Sequence, residues 1–145
     1  MRLVLDTNVV MSALLWCGAP YQLLTHIRDR AESISLYCSA PLLAELADVL
    51  TRPAAAKQLA VIKRSAAEVL ADYTAVIEIV TPLPVPPIAP DADDDVVIGT
   101  ALAARADCVV TGDRALLSVS EYQGLRIVSV GQAMQIVSPA AYRSG

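Results

Sequence analysis

Short aliphatic runs without polar alternation, each handing over to a stretch of helical spacing, limit this chain's fold more than any other feature. Residues 2–6, Arg-Leu-Val-Leu-Asp, end on a carboxylate and pass into Val9 and Val10 with no long loop, which reads as strand, tight turn, helix. After Gly18-Ala19-Pro20, the residues Leu23, Leu24 and Ile27 recur at helical intervals from Tyr21 to about Arg30, with Pro20 suited to a first helical position. A strand around Ile34 to Cys38 follows. Ser39 is placed to cap a helix from Pro41 to Leu50, with Leu42, Leu43, Leu46, Val49 and Leu50 on its buried side. The Ala-rich stretch from Pro53 holds a short helix, then a longer one from Ser65 to about Ala75 with Glu68 completing a capping box. Ile77 to Thr81 reads as another strand.

Five of the nine prolines fall between Pro82 and Pro90, a segment that can continue neither helix nor strand and so serves as an extended connection. It delivers a helix from Asp93 to Ala106, whose first-turn acids suit the helix dipole. A strand from Cys108 to Thr111, a helical turn from Asp113 to Leu117, a last strand from Leu125 to Val130 and a closing helix from Gly131 to Ile136 complete the chain. Strands with no polar face belong in a parallel sheet covered by helices on both sides. The expectation is a single α/β domain over residues 1–145, with a central parallel sheet of four to five strands.

A 55% hydrophobic content gives that domain a substantial core. The mean hydropathy of +0.51 raises the question of a membrane. The apolar stretches near Val9 to Trp16 and Val96 to Ala104 fall well short of the ~20 residues a bilayer crossing needs, and acids flank both. Asp6 and Asn8 interrupt the first run too early for a secretory signal, so a cytoplasmic location is expected. Cys17, Cys38 and Cys108 form no Cys-x-x-Cys pair and read as buried free thiols of a reducing compartment, with room for one reactive surface thiol.

The net charge of −4 looks wrong for a chain that attracts nucleic acid by overall charge. Four of the fifteen acids, however, lie between Asp91 and Asp95, and two divalent cations would bring the net charge to zero. In open parallel α/β sheets, ligands bind beyond the carboxyl ends of the strands. Asp6 closes the first strand, Asp113 follows the strand ending at Thr111, Asp91 to Asp95 open a helix, and Glu45 sits one turn inside the helix after the second strand. All can face one edge. Singly, each has a plainer reading: Asp6 and Asn8 as a helix cap, Glu45 as a solvated helix residue, the Asp run as a charged first turn, Thr111-Gly112-Asp113 as a turn. Jointly they need a counterion, because two like charges ~4 Å apart repel by roughly 4 kcal/mol at an effective dielectric of 20. Oxygen donors without His or Cys select Mg²⁺ or Mn²⁺ over zinc. The lone His26 lies away from the acids, and the aromatic residues are too scattered for a base-stacking platform.

Leu5-Asp6-Thr7-Asn8-Val9, Leu43-Ala44-Glu45-Leu46 with Val49-Leu50-Thr51-Arg52-Pro53, Asp91-Ala92-Asp93-Asp94-Asp95 and Val110-Thr111-Gly112-Asp113 together resemble the ordered motifs of PIN domain nucleases, in particular the toxin components of toxin–antitoxin systems. The resemblance spans nearly the whole chain. It implies a three-layer α/β/α sandwich, dependence on Mg²⁺ or Mn²⁺, and hydrolysis of RNA phosphodiester bonds. By position it makes Asp6, Glu45 and Asp113 metal-binding acids. The third acid is open: counting back from Thr111 favours Asp95, whereas relatives ending Asp-Asp-Asn would place it at Asp94. Asp91 is then a supporting residue, with Asn8 and Thr111 orienting the carboxylates or the attacking water. Arg52 and Arg114, with Lys57, Lys63 and Arg64, would meet the RNA backbone. A chain this apolar is also expected to show a hydrophobic face for a homodimer or an antitoxin.

Two alternatives compete. A phosphatase of the haloacid dehalogenase type also starts with a strand ending in Asp, but it wants a second Asp where this chain has Asn8, and the only lysines are Lys57 and Lys63. A PIN-like module that binds without turnover is the other, and the full set of acids argues against it.

Overall fold

The computed structural model describes residues 1–88 and 92–137. Along these residues run β1 (Arg2–Leu5), α1 (Thr7–Leu15), α2 (Ala19–Asp29), β2 (Ser35–Cys38), α3 (Ala40–Val49), α4 (Pro53–Ile62), α5 (Ala66–Thr74), β3 (Ile77–Ile79), α6 (Ala92–Ala103), β4 (Cys108–Val110), α7 (Arg114–Val119), β5 (Glu121–Tyr122), β6 (Leu125–Val128) and α8 (Val130–Val137). The strands form one sheet in the order β3-β2-β1-β4-β6-β5.

Leu3 stands opposite Leu36 on one side and Cys108 on the other, and the pairing is parallel from β3 through β6. The central strands are apolar because both of their faces are covered: no residue of Leu3, Val4, Leu5, Cys108, Val109 or Val110 is more than 2% exposed. Right-handed crossovers running outward from β1 to β2 to β3 set α1 to α5 on one face, and the return from β3 to β4 sets α6 on the other. Packing of α1 against α2, α3 and α4 agrees with that layering.

The sheet has six strands, not the four to five expected, and it is not wholly parallel. β5 pairs antiparallel with β6 through the turn at Gln123 and Gly124, both at positive φ (51° and 85°). Such a two-residue hairpin usually announces itself by Asn or Asp before Gly. Here glutamine holds that place, and two residues are too few to show a period.

Local capping is partly as expected. Ser65 accepts a hydrogen bond from the Glu68 N–H while Glu68 accepts from the Ser65 N–H, both at 3.1 Å, closing the capping box. Ser39 occupies the cap position of α3, but its side chain makes no cap bond. Its buried hydroxyl instead meets Thr100 Oγ1 at 2.9 Å. Because the Thr100 hydroxyl already donates to the Val96 carbonyl at 2.8 Å, Ser39 is the donor, and α3 is tied to α6.

Residues 80–88 carry no regular structure; the Val80 N–H still reaches the Cys38 carbonyl of β2 at 2.9 Å, and the segment then meets α6 at Leu83 and Ile88. The Leu83 N–H donates to the Gly99 carbonyl at 3.0 Å, and a Cβ at position 99 would run into the Leu83 carbonyl. Glycine is required there by close approach of two backbones. Among the described residues no helix is long and apolar enough to cross a membrane.

Only two of the three thiols are buried. Cys38 and Cys108 are internal, while Cys17 is exposed just after α1 and is the one surface thiol for which the sequence leaves room. Burial pushes the Cys38 thiol up to about 11 and raises that of Cys108 as well. Since the thiolate is the reactive form, a thiol reagent at neutral pH should label one cysteine per folded chain, and all three after denaturation. Mass spectrometry identifies the site; label on Cys38 or Cys108 in the folded chain would contradict this packing.

Candidate active site

The strand order reverses between β1, whose connection runs towards β2, and β4, so the carboxyl ends of these neighbours form a switch point. Asp6 follows β1 there and is only 6% exposed. Its Oδ1 accepts from the Thr7 N–H at 2.8 Å, so it does cap α1, and its Oδ2 accepts from the Thr111 hydroxyl at 2.7 Å. Thr111, fully buried after β4, also accepts from the Asp113 N–H at 3.0 Å. One hydroxyl thus links the acid of β1 to the backbone of the acid after β4. Asp113 is half-buried and caps α7, its Oδ1 accepting from the Ala115 N–H at 3.0 Å.

Glu45 comes from α3, on the other side of β1, and is half-buried. The buried Thr7 hydroxyl, with no close hydrogen-bond partner among the described residues, lies near enough to favour the ionised Glu45. In the first turn of α6, Asp94 is buried (6% exposed), Asp95 half-buried and Asp93 exposed. The Asp95 Oδ1 accepts from the Ile88 N–H at 3.1 Å.

Charge crowding marks the group. Asp6 is raised above the usual aspartate range by burial, against the pull of its bonds to Thr111 and Thr7, with a further upward push from Asp113. Glu45 is likewise raised, first by burial and then by the charges of Asp6 and Asp93, while Arg52 opposes. These acids sense one another, and an all-oxygen donor set suits a hard divalent cation. Yet among the described residues no three His, Cys, Asp or Glu side chains stand close enough to enclose an ion as they lie.

The profile of a family described as the PIN domain matches residues 2–115, most of the chain and every acid discussed above. The chain belongs to the PIN domain family. PIN domains are as a family nucleases and generally use divalent metal ions. A solved structure of similar fold is VapBC2 from Rickettsia felis bound to a DNA fragment from their promoter, at 16% identity and a TM-score of 0.59, covering 89% of this chain and 98% of that one. That likeness bears on the fold: a mostly parallel sheet flanked by helices. No curated protein matches the sequence. Membership displaces the phosphatase alternative.

The remaining residues of this PIN domain divide plainly. Asn8 is exposed in the first turn of α1, and Asp91 lies outside the described residues. Arg52 precedes α4, is exposed and pairs with Asp48 at 3.3 Å, while its charge reaches Glu45. Arg114 is exposed at the start of α7. Arg64 is engaged with Asp72 at 2.7 Å and Glu68 at 3.7 Å, and His26 Nδ1 lies 3.0 Å from Arg30, so neither reads as part of the acidic group. Sequence reasoning passed over Asp93, whose charge reaches Glu45. The available signal was its spacing, one and two turns ahead of the buried Val97 and Thr100.

Proposed function

We propose that this PIN domain is a divalent-cation-dependent endoribonuclease that acts as the toxin of a toxin–antitoxin pair. The observation that carries the reading is Asp6: a buried, hydrogen-bonded carboxylate at the switch point of the sheet, raised by burial and by its acidic neighbour Asp113. Asp6, Glu45, Asp113 and one acid from the first turn of α6, Asp94 or Asp95, make up the set that would hold Mg²⁺ or Mn²⁺. A hard cation bound there supplies charge stabilisation to a phosphodiester under attack by water. The chain's own part is orientation. Thr111 and the Thr7 N–H hold both oxygens of Asp6, and the Ser39–Thr100 bond holds the Glu45 helix against the Asp94 helix. Arg52 and Arg114, both exposed, would take the RNA backbone without reading bases.

Partners follow from the same reading. VapBC is a toxin–antitoxin complex. Here an antitoxin, or a second copy in a homodimer, would cover exposed apolar side chains such as Trp16, Tyr21 and Val61. The decisive experiment incubates the purified chain with single-stranded RNA and, separately, DNA, with Mn²⁺, with Mg²⁺ and with EDTA. Internal RNA cleavage that EDTA abolishes is expected. Tight Mn²⁺ binding by calorimetry with every RNA left intact would point instead to a silent binding module.

A further inference from the structure

We infer that Asp95 is a positioning residue, the clasp that holds the proline-rich connection across α6, and that the acid α6 contributes to the metal-binding set is Asp94. The first half stands on contacts alone; the second rests on the metal-dependent nuclease reading above.

Between residues 82 and 88 the four prolines leave only Leu83, Val85 and Ile88 with an N–H to donate. Two of these three are taken by α6: Leu83 by the Gly99 carbonyl at 3.0 Å, Ile88 by the Asp95 carboxylate at 3.1 Å. Positions 95 and 99 are four apart and so share one face of the helix. That face is shaped for the connection, since Gly99 has no Cβ where the Leu83 carbonyl lies. Val85 and Ile88 pack against the core from the same segment. Asp94 lies one residue back, about 100° around the helix, on the face it shares with the buried Ile98 and Ala101. The helix therefore splits two adjacent acids between two tasks. Asp95 faces the connection, and Asp94 goes inward with the residues that pack α6 on β1 and β4. The clasp acts on the site through Asp94, because the connection it fixes leads into the turn that carries that acid.

Three variants of the full chain test this, with two readouts: exchange of the Ile88 amide hydrogen without metal, and Mn²⁺ affinity by calorimetry. D95N retains an acceptor oxygen, so Ile88 exchange and Mn²⁺ affinity should stay within about threefold of the parent. D95A should speed Ile88 exchange on the order of tenfold and weaken Mn²⁺ binding, a loss that D95N rescues. D94N should leave Ile88 protected and cost on the order of tenfold or more in Mn²⁺ affinity. Loss of Mn²⁺ binding in D95N to the same degree as in D94N would make Asp95 a ligand and overturn the assignment. Unchanged Ile88 exchange in D95A would remove the clasp. If the parent itself binds no Mn²⁺, the nuclease reading and the Asp94 assignment fall together, while Ile88 exchange still decides the clasp.

Discussion

Asp6→Asn is expected to cut divalent-dependent RNA cleavage by on the order of 100-fold or more, above the ~10–100-fold that loss of an outer-sphere partner costs, while making the metal-free chain more stable at neutral pH. The two effects have one origin. Asparagine keeps an oxygen for the Thr7 N–H and presents an amide towards Thr111, whose hydroxyl can turn to accept, so the local bonding is largely retained. What disappears is the anion. Burial and Asp113 already disfavour that anion, which is why the folded-state pKa of Asp6 lies above its usual range. A raised carboxyl contributes stability below its unfolded pKa and loses it as pH rises through the folded value. At neutral pH, above the unfolded pKa, the parent therefore bears the cost of a carboxyl whose ionisation the fold disfavours, and the substitution removes that cost. Glu45, also raised by burial and then by acidic neighbours, has the same sign.

Thermal denaturation with and without Mn²⁺ separates the two parts. The parent's melting temperature should rise on adding Mn²⁺, because a ligand that binds only the folded chain stabilises it. The variant should start higher and respond little. A variant that melts lower than the parent without metal would mean that Asp6 is held as a structural cap and not as a strained anion. A variant that still cleaves RNA at the parental rate would remove Asp6 from the chemistry.

Much of this arrangement is legible in the sequence because its signals are local. Leu3, Val4 and Leu5 show no polar alternation since both faces of β1 are covered, and the acid at its end can only emerge at the carboxyl edge. Ser65 and Glu68 announce their helix start three residues apart. What was not legible depends on distant partners. Ser39 has the composition of a cap, but its hydroxyl goes to Thr100, 61 residues on. Whether Asp94 or Asp95 turns inward depends on which side of α6 the proline-rich segment takes, and neighbouring aspartates look alike in a sequence. Asp93 reaches Glu45 only because α3 packs beside α6.

That packing gives the second large effect, at Gly99. In an unobstructed helix interior, Gly→Ala gains roughly 0.5–1 kcal/mol from the lower entropy of the unfolded chain. Gly131, near the start of α8 with its nearest obstacle at 3.9 Å, should follow that rule and be neutral or stabilised by alanine. Gly99→Ala should have the opposite sign. Its new methyl would meet the Leu83 carbonyl, which is main chain and cannot swing aside as a side chain would. To make room, the connection must lift from α6, stretching the Leu83 to Gly99 bond and then the Ile88 to Asp95 bond. Overpacking of this kind costs about 1–3 kcal/mol, which for a domain of this size lowers the melting temperature by roughly 3–12 °C. Because the lifted segment runs into the acid-bearing turn, Mn²⁺ affinity should fall along with stability in Gly99→Ala and stay parental in Gly131→Ala. Equal stability of the two alanine variants would show that the connection does not lie tightly on α6, and the link from Gly99 through Asp95 to the acidic turn would be lost with it.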